Sequence, residues 1–182
     1  SISAARMSAT CGVDINNSLA TGINLLGDIH GGAGQQALEL YTDIQTKGLE
    51  NLSQIINDYK KFKNVYIPGF GHRFHKSNDP RTIRLLEIVD DAIERKIIKG
   101  EYAKIARKIE QELSKKKNIP MNIDGITAVI YAELGCPAAL SRGLFCLSRS
   151  VGILSHTWEQ MQQGERIKGP TPPDYKWDYK GK

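Results

Sequence analysis

Apolar residues along this chain recur at steps of three and four, and no stretch sustains the strict alternation of a half-buried strand. Ala37, Leu40 and Ile44 mark one such face, and Leu52, Ile55, Ile56 and Tyr59 mark the next. Leu85, Ile88, Val89, Ala92 and Ile93 repeat the pattern within residues 81–98, and Tyr102, Ile105, Ile109 and Leu113 repeat it beyond Gly100. The longest face is Leu140, Leu144, Leu147, Val151, Leu154, Trp158 and Met161. Its alternating steps of four and three predict a helix packed on another helix along its length. Pro137 suits the first turn of that helix and Gly164 its end. Residues 1–10, rich in Ala and Ser and closed by Gly12, and residues 17–26 read as shorter helices. One short extended piece is expected at residues 64–67, and the proline-bearing tail 169–182 is expected to be extended and docked. The fold class is all-α.

The length of 182 residues suits one or two small domains, and an apolar share of 40% allows a sizeable core. No apolar run approaches the length of a membrane span, and no basic-then-apolar leader opens the chain. Cys11, Cys136 and Cys146 are odd in number and contain no CxxC pair. They read as buried, reduced thiols of a cytoplasmic protein. The formal charge is +5, with the basic excess between residues 95 and 117. There Lys and Arg alternate with Glu along helical faces and no aromatic ladder accompanies them. That is a solvated helix surface rather than a nucleic-acid interface, and it offers a mild attractive field to a polyanionic ligand.

The connections between the helices carry three of the four histidines, and loops on a rigid scaffold are where reactive groups usually sit. The first connection reads Gly27-Asp28-Ile29-His30-Gly31-Gly32-Ala33-Gly34. Its glycines permit close approach of a ligand or of backbone, and it leads into a helix whose start favours an anion. A plain loop with an incidental His is the competing reading. The second runs from Pro68-Gly69-Phe70-Gly71-His72-Arg73-Phe74-His75-Lys76 to Asp79-Pro80-Arg81. It lacks the strand and third glycine of a dinucleotide fingerprint. Its crowded His, Arg and Lys suit a di- or tricarboxylate, because guanidinium groups bind carboxylates bidentately. The third is Asn122-Ile123-Asp124-Gly125, where Asp124 reads either as a helix cap or as a reactive carboxylate. Neither HxxxH nor HExxH spacing is present for zinc, so no metal is assigned, and no Gly-x-Ser-x-Gly elbow is present. His75 and His156 read as structural or surface residues.

These three segments, in this order and followed by Phe145-Cys146-Leu147-Ser148-Arg149-Ser150-Val151-Gly152, resemble the citrate synthase family over nearly the whole chain. The wording from Pro68 to Arg81 is most similar to the small citryl-CoA lyases and short citrate synthases. The resemblance implies an all-α fold in which a small domain closes over a large one. Here the small domain would be residues 32–135, flanked by large-domain parts at 1–31 and 136–182. It also implies acetyl-CoA and oxaloacetate as substrates, coenzyme A as the carrier, and a homodimer. By resemblance, Asp124 takes a proton from the acetyl methyl, His30 donates a hydrogen bond to the enol oxygen, and His72 polarises and protonates the oxaloacetate carbonyl. Arg81 and Arg149 fall on carboxylate-clamping positions, and Arg73 and Lys76 on the loop that wraps the CoA nucleotide. A thioester α-carbon is a weak acid, so a carboxylate removes its proton only if a preorganised donor meets the oxygen that gains charge.

Two departures qualify the implied reaction. Relatives carry further helices and a substrate-binding His upstream of the segment that matches Ser1, so the chain is read as part of a longer protein. Many also carry an Arg-Pro pair near the C-terminus where this chain has Gly169-Pro170. The condensing synthase and the cleaving lyase use the same residues and stay open as alternatives. A non-catalytic helical module is the reading from another class, and the joint presence of His30, His72 and Asp124 argues against it.

Overall fold

The computed structural model describes residues 1–63, 66–75, 77–115, 117–167, 174, 178, 180 and 181. Most of the tail expected to be extended, Lys76, and part of the expected extended piece at 64–67 lie outside them. The α-helices are α1 (Ile2–Thr10), α2 (Ile15–Asn24), α3 (Ala33–Lys47), α4 (Leu52–Phe62), α5 (Pro80–Glu94), α6 (Glu101–Ser114), α7 (Ile123–Glu133) and α8 (Ala138–Gln163), with a 3-10 turn at Leu49–Asn51. Among the described residues there is no strand, only an isolated antiparallel bridge between Phe70 and Met121. None of these helices is long and apolar enough to cross a membrane.

The chain divides into two compact units, Gly27–Phe145 on one hand and Ser1–Leu26 with Cys146–Lys182 on the other. These breaks fall after Leu26 and Phe145, whereas the sequence placed them at residues 32 and 135.

In the unit Gly27–Phe145, the predicted stripes meet. Ala37, Leu38, Tyr41 and Ile44 of α3 join Ile105, Ala106 and Ile109 of α6 and Ile126 and Val129 of α7 in one buried cluster. Burial of each large aliphatic side chain here contributes about 1.5–3 kcal/mol. The start of α6 has no side-chain cap of its own, because Gly100 stands there in the left-handed region. Glu133, at the end of α7, fills that place by accepting from the N–H groups of Gly100, Tyr102 and Ala103 at 2.9, 2.8 and 3.2 Å. Orphan donors of one helix thus fix another helix against it. The expected helix 81–98 stops earlier, at Glu94. Lys96 turns into the left-handed region (φ 57°), and the Ile97 N–H returns to the Ala92 carbonyl at 2.9 Å. The basic surface carries ion pairs, as its Glu-interleaved pattern predicts: Arg107 reaches both oxygens of Asp90, and Arg95 and Lys115 meet Asp91 and Glu112.

In the other unit, Gly22 lets α2 approach closely. A Cβ there would lie 2.6 Å from Ile153 Cγ2 and 3.1 Å from Ala5 Cβ. The face of α8 that packs here is Ile153, Thr157 and Gln160, all buried. The apolar stripe expected to be packed is instead on the outside: Leu147, Val151 and Trp158 are more than half exposed and Leu154 is 41% exposed. Small residues on α1 and α2 bring those helices against the opposite face, and the stripe is left uncovered by the described residues of this unit. The cysteines are unpaired, but Cys11, just past the end of α1, is exposed rather than buried.

Candidate active site

The second and third sequence segments are joined backbone to backbone. The Asn122 N–H donates to the Gly69 carbonyl at 2.9 Å, and the Gly71 N–H donates to the Pro120 carbonyl at 2.7 Å. Phe70 and Met121 lie across this bridge, both buried, and Phe70 sets its ring edge-on to Tyr41 at 6.4 Å. The closeness requires two glycines. Gly69 sits at φ +85°, with the site of a Cβ only 2.7 Å from Gly125 Cα, and a Cβ on Gly125 would lie 2.3 Å from the Gly69 carbonyl oxygen. The Asn122 side chain tightens the joint further: its amide donates to the Gly71 carbonyl at 2.6 Å, and its Oδ1 accepts from Asp124 and Gly125 N–H at 2.9 and 3.2 Å.

Asn122 is therefore the N-cap of α7, and Asp124 sits in the first turn with a half-buried side chain. The cap reading of Asp124 is replaced: the residue two places earlier does that work. The helix start favours an anion at Asp124. Its charge is felt nearby. The buried Tyr41 phenol, which donates to the Gly125 carbonyl at 3.3 Å, is pushed up by burial first and then by Glu110 and Asp124. Asp79 first, and Asp124 more weakly, favour the charged form of Arg81.

One residue past the joint, His72 Nδ1 accepts from the backbone N–H groups of Phe74 and His75, each at 3.1 Å. A ring nitrogen that accepts twice carries no proton, so in the neutral ring the proton is on Nε2, which is left as a donor. The His75 ring lies against it at 4.6 Å. Asp79 caps α5 with Pro80 behind it, and is buried. Arg81 grips it through Nε at 3.0 Å and Nη2 at 2.8 Å. That grip holds the Asp79 carboxyl down to about 2. It also uses one edge of the guanidinium fork and leaves the other edge to face outward, with the side chain half exposed.

His30 is exposed on the turn that leads into α3, and its carbonyl accepts from the Gly27 N–H at 2.9 Å. Arg73 and His72 line a cleft of about 600 Å³ with Tyr66, His75 and Lys117. Lys76 lies outside the described residues. The structure thus brings His72, Asp124, Arg81 and Arg73 into one unit with His30, while Arg149 is exposed on α8 in the other unit. Sequence reasoning quoted Asn122 and Asp79 without assigning their capping roles, and did not single out Lys117. An Asp directly before Pro at a helix start is a readable signal for Asp79. An Asn two residues before the helical Asp is one for Asn122.

The description of the citrate synthase C-terminal domain matches residues 1–171. The chain belongs to the citrate synthase family. A citrate synthase of Saccharolobus solfataricus is 30% identical over 174 residues, covering 93% of this chain and 46% of the relative. Among solved structures, a citryl-CoA lyase from Hydrogenobacter thermophilus superposes with a TM-score of 0.82 at 31% identity, covering 98% of this chain and 68% of that one. The citrate synthase of Thermoplasma acidophilum, in a ternary complex with carboxymethyl coenzyme A and oxaloacetate, does so with a TM-score of 0.77 at 25% identity, covering 98% and 49%. The chain spans less than half the length of the S. solfataricus citrate synthase, and its all-helical fold is that of the family.

Proposed function

We propose that this chain carries the reacting groups of an enzyme that joins acetyl-CoA to oxaloacetate, forming citryl-CoA and then, by hydrolysis, citrate and free coenzyme A. The observation that carries the reading is the joint at residues 69–71 and 120–122. It sets a neutral imidazole with a donating Nε2–H on the same frame as the carboxylate of Asp124. Asp124 takes a proton from the acetyl methyl while His30 donates to the thioester oxygen, giving the enol. The enol carbon attacks the oxaloacetate carbonyl carbon, the enol oxygen returns its proton to His30 as the thioester carbonyl re-forms, and the oxaloacetate carbonyl oxygen receives its proton from His72 Nε2. Removing the methyl proton and stabilising the new oxygen charge are the costly acts, and preorganised donors lower that barrier. Arg81, oriented by Asp79, and Arg149 bind carboxylates of the oxo acid. Arg73, with Lys76 and Lys117, attracts the phosphates of coenzyme A, a role the basic cleft supports. No metal has a part in these steps.

The same residues cleave citryl-CoA when the order is reversed. The likeness to a citryl-CoA lyase at a TM-score of 0.82 favours keeping that second reading. We further propose that residues 32–135 move as a small domain over a large one, that the working enzyme is a homodimer without a nucleic-acid or membrane partner, and that it acts in the cytoplasm, where unpaired cysteines persist. The test is a product assay on the full-length protein, offered acetyl-CoA with oxaloacetate and, separately, citryl-CoA. Citrate or citryl-CoA from the first mixture supports the synthase, and acetyl-CoA from the second alone supports the lyase. Silence in both overturns the reading.

A further inference from the structure

The turn that carries His30 is tied down by a residue distant in sequence. Within residues 27–32 the backbone curls around Asp28 so tightly that a Cβ on Gly32 would lie 2.5 Å from the Asp28 carbonyl oxygen. That carbonyl accepts from Gln36 Nε2 at 2.9 Å, and the Gly27 N–H closes the turn onto the His30 carbonyl. All of these bonds refer the turn to itself or to α3. The Asp28 carboxylate, by contrast, accepts from Arg142 Nη2 on α8. The two partners are unequally placed: the Arg142 side chain is 26% exposed and that of Asp28 is 78% exposed. Arg142 is thus the fixed end and the turn is the held end. The Arg142 Nε is buried and has no hydrogen-bond partner among the described residues. Stranding a half-buried guanidinium is costly, which favours keeping the pair closed.

We propose that Arg142 is a positioning residue: by holding Asp28 it fixes the turn, and through it the direction in which the His30 ring points. The inference rests on the reading of His30 as the donor to the acyl-CoA oxygen. Arg142 does not touch the reacting atoms. Its effect travels two residues along the chain, from the carboxylate of Asp28 to the ring of His30. An error of about an ångström in a donor's place reduces turnover on the order of a hundredfold, so a surface-facing ion pair that is weak as a source of stability still has a large effect as a support for geometry.

The experiment uses the full-length protein with its histidine rings isotopically labelled, the His30 resonance being identified by its loss in His30→Gln. In Arg142→Gln and in Asp28→Asn, the His30 ring resonance splits or broadens. Deuterium exchange into the acetyl-CoA methyl slows about ten- to a hundredfold, while apparent affinity for the oxo acid stays within about twofold. Arg142→Lys restores most of the rate, and the double variant Asp28→Asn/Arg142→Gln is no slower than either single one. An unchanged His30 resonance in Arg142→Gln overturns the proposal, as does a changed resonance with an unchanged exchange rate. A wild-type protein that catalyses no exchange overturns the functional reading instead, and the ring resonance then still decides whether Arg142 holds the turn.

Discussion

At the scale of single residues, Asn122 is the cap of α7, so the base role proposed for Asp124 is separable from capping. Because Asn122 caps α7, Asp124→Asn should cost no more than about 1 kcal/mol of unfolding free energy, the loss of an anion at the helix start. Turnover should fall by roughly two to four orders of magnitude. Deuterium exchange into the acetyl methyl, with an unreactive oxo-acid analogue bound, measures this directly, and exchange at the wild-type rate would move the base elsewhere. Arg149→Ala should weaken oxaloacetate or citrate by about 2–4 kcal/mol and leave coenzyme A affinity unchanged, read by calorimetry. Asp79 gives the pH dependence. Its folded value of about 2 lies below the ordinary carboxylate range because Arg81 binds it. The stabilisation is therefore complete above about pH 4 and is lost as pH falls toward 2. Asn caps nearly as well as Asp, so Asp79→Asn isolates the charge pair. It should cost about 2 kcal/mol near neutrality, and the difference from wild type should shrink in denaturant titrations below pH 4. Equal costs at pH 7 and pH 3 would refute the pairing. The sequence made His30, His72 and Asp124 visible because each stands among glycines or at a helix start. It hid the Arg81 grip on Asp79 and the His75 contact with His72, which depend on which side chain folds back on which.

At the scale of elements, the helices were legible because each has one apolar face at helical spacing, and glycines such as Gly100 mark their ends. The Phe70–Met121 bridge was not. A single pair of residues 51 positions apart leaves no alternating pattern, and its energy comes from backbone groups that every sequence shares. The steric signature is stronger than the pattern. Gly125→Ala sets a methyl 2.3 Å from the Gly69 carbonyl oxygen, where the neighbour is backbone and has no room to give. It should cost about 1–3 kcal/mol and sharply depress turnover. Gly34→Ala, in open space on α3, serves as the control in the same melting and rate measurements. If both variants behave alike, the close approach is not structural. The long stripe on α8 was read correctly as apolar, while periodicity tells that a face is greasy and not what lies on it.

At the scale of the whole molecule, that stripe bears on the proposed homodimer. Leu147, Val151, Leu154 and Trp158 form an exposed apolar row of a kind that monomers seldom present to water. Static light scattering of the full-length protein at micromolar concentration should give a dimer, and Val151→Glu should shift it toward monomer. A stable wild-type monomer would remove the homodimer from the proposal. The joint at residues 69–71 and 120–122 has a different reach. His72 and Asp124 leave it within two residues on either side, so the same two backbone hydrogen bonds hold the chain at both positions. A substitution that shifts the backbone at one of the pair is felt at the other. On the proposed reading, a change of acyl group is expected to come through the outer wall of the basic cleft, at Tyr66 and Lys117, rather than through this joint.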